Sequence, residues 1–114
     1  MPVPDHLAAV HFRVQLAGQS IEHAISLLKS RRVFQGRMHV QQAVGDLQHA
    51  ASYLKASGQY PALLSYTEAL IAFYTGEAAR VVRPANAPAV GDALYSAQGN
   101  LLQADPVLFP SVAH

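Results

Sequence analysis

Apolar residues recur at Leu7, Val10, Val14, Ala17, Ile21, Ala24 and Leu28, alternating steps of three and four without a break. That stripe covers one face of a long α-helix and fits no strand, whose side chains change face at every residue. Such a helix is marginal alone and must lay its apolar face on other helices. A second stripe runs Val40, Val44, Leu47, Ala51, Leu54, and Gly58 follows as a natural helix stop. A third begins at Pro61, suited to a first helical turn, and continues Leu64, Thr67, Ile71, Tyr74, Ala78, Val81. Pro84 ends it near Arg83, since proline biases its predecessor away from helix. Asn86 is placed to cap a fourth helix with Val90, Leu94, Ala97 and Leu101 inward, closed at Asp105-Pro106.

The pattern predicts helices over about 6–31, 37–57, 61–83 and 87–104, then a proline-containing tail, 105–114, whose Leu108 and Phe109 could dock. Short connections between four such helices imply a single-domain, all-α, antiparallel up-down four-helix bundle. No sustained alternation of period two competes. Five glycines (Gly18, Gly45, Gly76, Gly91, Gly99) fall inside helical pattern, each costing about 1 kcal/mol relative to alanine. Close helix crossings are the expected reason; a groove that receives a partner helix or ligand is the alternative.

Composition narrows the function. The 114 residues include no cysteine, which removes disulfides, thiolate metal sites and cysteine nucleophiles. Net charge is +1, so nothing global draws the chain to nucleic acid or membrane. Charged residues are 13% of the chain, where roughly 25% is usual, while apolar residues are 51%. So few charges leave apolar surface over, and a homo-oligomer or a protein partner is expected. With no basic start before an apolar run, and no apolar stretch of roughly 18 residues, a soluble cytoplasmic protein is expected.

Specific chemistry is largely missing. Di-iron bundles need Glu-x-x-His pairs, and none occurs. Asp46 and His49 have that three-residue spacing, but both fall outside the stripe of their helix, and His11 and His23 flank theirs. No serine sits in a strand-turn-helix elbow, and "GQS" and "GEA" lack the lysine of a phosphate loop. No catalytic residue, metal site or cofactor is nominated.

Two features remain. Besides its core stripe, the third helix carries Leu63, Tyr66, Leu70 and Phe73, a parallel apolar row displaced by about 100°. With Tyr74, this row is the candidate partner-binding surface. The stretch "KSRRVFQGRMH" concentrates Lys29, Arg31, Arg32 and Arg37, and no acidic residue lies between Glu22 and Asp46. It reads as the charged end of helix one, where cations complement the helix dipole, with a break near Gly36. Its alternative role is phosphate or nucleic-acid contact by those four cations and His39. Arg32 and His39, seven apart, resemble the Arg-x(4–6)-His element of HEPN-type helical-bundle ribonucleases. That resemblance would make His39 a base on a ribose hydroxyl and Arg32 a phosphate anchor.

A second resemblance rests on "FYTGEAARVVRPAN". Phe73-Tyr74, Arg80-Val81 and Ala85-Asn86 stand at nearly the spacing of a signature in flagellin-export chaperones (FliS type), small antiparallel bundles themselves. The resemblance implies a non-enzymatic protein that holds an unfolded or helical client along apolar surface at Tyr66, Phe73 and Tyr74.

Overall fold

A computed structural model describes residues 5–108, with side chains for residues 8–97. Four helices follow in order: α1 (Asp5–Lys29), α2 (Val33–Ser57), α3 (Pro61–Arg80) and α4 (Ala87–Leu108). They form the expected all-α antiparallel bundle, and no strand occurs among the described residues. The helices stand in the spatial order α3–α2–α1–α4, and only a small contact between α3 and α4 closes the ring. No helix of the described residues is long and apolar enough to cross a membrane.

The stripe of α1 is the spine of the core: Val10, Val14, Ala17, Ile21, Ala24 and Leu28 are all buried. On α2 the buried row is Gly36, Val40, Ala43, Leu47, Ala50 and Leu54, facing α1. Val44, expected in the stripe, is only partly buried, and it borders α3 together with Ala51. On α3, Thr67, Tyr74 and Ala78 are buried as expected, as is Val81 just past its end; Leu63 joins them, while Leu64 and Ile71 of the expected stripe are only partly buried. The Thr67 hydroxyl satisfies itself by donating to the Leu63 carbonyl at 2.9 Å. Val90 and Leu94 of α4 are inward; Gly99 and Leu101 have side-chain surroundings outside the described set, and Phe109 lies outside it altogether.

The first connection is tighter than the sequence suggests. Arg31 adopts φ 62°, the left-handed conformation that usually belongs to glycine. Its amide donates to the Leu28 carbonyl at 3.0 Å, and the Arg32 amide reaches back to Leu27 at 2.9 Å. This is a Schellman closure, which satisfies carbonyls that the end of a helix otherwise leaves bare. The chain therefore turns within Ser30–Arg32, and α2 begins at Val33, four residues before the expected start. Gly36 is no break: it lies in the first turn of α2, buried against Leu28. A Cβ there would overlap the Leu28 side chain, with Cγ only 2.7 Å away.

The other glycines divide. Gly91 lies close to α1, where a Cβ would meet Leu28 Cβ at 3.4 Å, but Gly18, Gly45 and Gly76 have nothing within 4 Å of that position. The expectation of close crossings thus fails at those three, whose missing side chains face open space. At the far ends, α3 stops at Arg80, three residues before Arg83, where the Val81 amide tightens onto Ala78. α4 runs through Asp105-Pro106 to Leu108; proline removes one backbone donor, but its φ remains helical. Asn86 precedes α4 as expected but does not cap it with its side chain. Its amide donates to the Arg80 carbonyl at 2.6 Å and its oxygen accepts from the Arg83 amide at 3.3 Å, so it ties the loop to the end of α3.

The two special positions have opposite expected effects. Gly36→Ala should lower unfolding stability by about 1–3 kcal/mol through overpacking on Leu28. Arg31→Gly should raise it by about 1 kcal/mol by relieving the left-handed residue. Urea denaturation of both variants checks the pair.

Candidate functional site

The basic stretch is divided by the fold. Lys29 reaches α4: its ammonium lies 3.8 Å from Asp92 and 5.2 Å from the centre of the Tyr95 ring. Arg37 donates to the Val81 carbonyl at 3.2 Å, completing the C-terminal end of α3 from α2. These two cations join helices, whereas Arg31 and Arg32 are exposed and make no ion pair among the described residues. His39 does not meet Arg32 by hydrogen bond. It packs edge-on against His23 of α1, with ring centroids 5.4 Å apart. Asp46, the acid of the other spacing considered, is held by Arg13 at 3.1 Å across the same α1–α2 seam, and His49 is exposed.

The apolar row proposed on α3 also divides. Tyr74 is fully buried and Leu63 nearly so; both belong to the core rather than to a free surface. Leu70 packs against the core and Tyr66 is half-buried. Phe73 alone of the row is exposed, its ring edge-on to Tyr74 at 5.4 Å. Where the chaperone resemblance implies a client-holding Tyr74, this ring instead fills the interior.

The other flank of α3 is more open. Between α2 and α3 lies a groove of about 570 Å³, lined by Phe34, Arg37, Met38, Val44, Ala78 and Ala79. Phe34 is 70% exposed and Met38 40%, large losses of apolar burial for a small domain. Val82 stands 60% exposed just past the end of α3. Further along the same helix pair a second depression, about 360 Å³, is edged by Ala51, Lys55, Glu68 and Ile71. An expected start of α2 at 37 leaves Phe34 in the turn with the basic residues and separates it from Met38. The signal was their spacing of four, which puts both on one helix face once the helix starts at Val33.

Charge within the bundle is sparse. Glu77, nearly buried on α3, accepts two contacts of 2.9 Å from Arg80, one on each oxygen. Among the described residues no group of three or more His, Asp or Glu gathers as a metal cluster. No protein-family model, curated protein or solved structure matches this chain.

The Tyr74 hydroxyl is buried without a hydrogen-bond partner. Burial, and secondarily the Tyr66 phenol, push its pKa up to about 12. The unfolded chain loses this proton near pH 10 and the folded chain does not, so the phenol erodes stability as pH rises from about 10 to 12. Tyr74→Phe should raise stability at neutral pH by about 1 kcal/mol, because it deletes an unsatisfied polar group. It should also reduce the alkaline loss; thermal unfolding at pH 7 and pH 11 measures both.

Proposed function

We propose that this chain is a non-enzymatic interaction module whose α2–α3 groove receives an apolar helical segment of a protein partner or of a second copy. The observation that carries this reading is the exposure of Phe34 and Met38 at the mouth of the groove. A bundle free to bury both would do so, since each buried large apolar side chain is worth about 1.5–3 kcal/mol. Grooves between paired helices accept an amphipathic helix through anchors spaced three and four residues apart. Gln41 and Thr75 add polar groups to the groove lining, suited to a polar rim around an apolar contact. The low charge content of the chain agrees with a surface that is covered in use. A chaperone-like role, holding a helical client, fits the same groove better than the α3 row. Phosphate binding at the basic turn has less support, because Lys29 and Arg37 are engaged between helices.

A photo-crosslinking residue at position 34, expressed in cells, should yield a covalent adduct with another protein or with a second copy. The same residue at Tyr53, exposed on α2 but not among the groove-lining residues, should yield none. No adduct from position 34, or equal adducts from both positions, would remove the groove from consideration.

A further inference from the structure

We infer that His23 and His39 form a two-histidine binding site for a borderline divalent cation such as Zn²⁺ on the α1–α2 seam. The two residues come from different helices, sixteen positions apart, and the tight turn at Arg31 brings them together. Their ring centroids are 5.4 Å apart. Two imidazoles on one tetrahedral Zn²⁺, each with a Zn–N bond near 2.0–2.1 Å, place their ring centroids about 5 Å apart. The spacing already present is therefore close to what coordination requires; the rings now stand edge to face at 83°, so binding an ion requires side-chain rotation to bring both nitrogens onto it.

A second observation points the same way. His39 Nδ1 is buried and has no hydrogen-bond partner, although buried polar atoms nearly always find one. A cation bound at this nitrogen would satisfy its lone pair. His23 is exposed, so the seam is open to an ion from solvent. Imidazole pairs favour Zn²⁺, Cu²⁺ and Ni²⁺ over Ca²⁺ or Mg²⁺, which prefer oxygen. Asp46, the acid identified on this seam, is already paired with Arg13. Water or an external ligand would complete the shell, which makes the ion exchangeable rather than a closed structural centre.

The test is titration of the full chain with Zn²⁺ against a chromophoric chelator at neutral pH. Saturable binding of no more than one ion per chain is expected, at least about tenfold weaker in both His23→Gln and His39→Gln. His49→Gln, exposed and away from the pair, should bind as the parent does. Absence of binding in the parent overturns the site, as does undiminished binding in the two variants. His23 is exposed, so its variant decides the matter should the His39 variant fail to fold.

Discussion

The contact of Gly36 with Leu28 holds the architecture in place. Soon after the chain reverses, the second of two 25-residue helices presents no side chain where the first presents leucine, and a Cβ at Gly36 would force the Leu28 side chain to move. The Arg31 turn completes the arrangement, since a left-handed residue lets the chain reverse within Ser30–Arg32 while its amides close the end of α1. Everything else is referred to this pair. α4 packs on α1 beside Ile25 and Leu28, and α3 packs along α2.

That geometry also gives the polar groups their roles. A tight α1–α2 hairpin places Arg13 opposite Asp46 and His23 opposite His39 along one seam, neither of them a neighbour in sequence. On the other flank of α2, Arg37 meets the carbonyl of Val81 and Phe34 is left beside the opening between α2 and α3. A single turn therefore sets up the histidine pair on one side and the apolar groove on the other. The basic stretch that straddles the turn is mostly connective. Lys29 and Arg37 link helices, and charges spent on such links at a partly exposed surface are worth a few tenths to about 1 kcal/mol each.

The apolar row of α3 is not one uniform surface. Its residues stand at different depths: Leu63 and Tyr74 reach the core, Tyr66 and Leu70 stop halfway, and Phe73 remains outside. A displacement of about 100° on a helical wheel measures direction and not depth, and depth depends on which neighbour arrives. The same limit applies to Gly18, Gly45 and Gly76, which the pattern treats like Gly91 but which face open space.

The sequence alone determined the number of helices, their class and the spine of the core, because burial of a helix imposes a periodicity that only a helix satisfies. The unbroken steps from Val10 to Leu28 are buried as written, and Gly58 stops α2 in the left-handed conformation. Tertiary structure decided where α2 begins, which glycine is obligatory, and which side chains share a site. A Schellman turn built on arginine leaves no glycine to mark it. Phe34 and Met38, like His23 and His39, meet their surroundings through packing between helices, and periodicity along one helix carries no information about the register of the next.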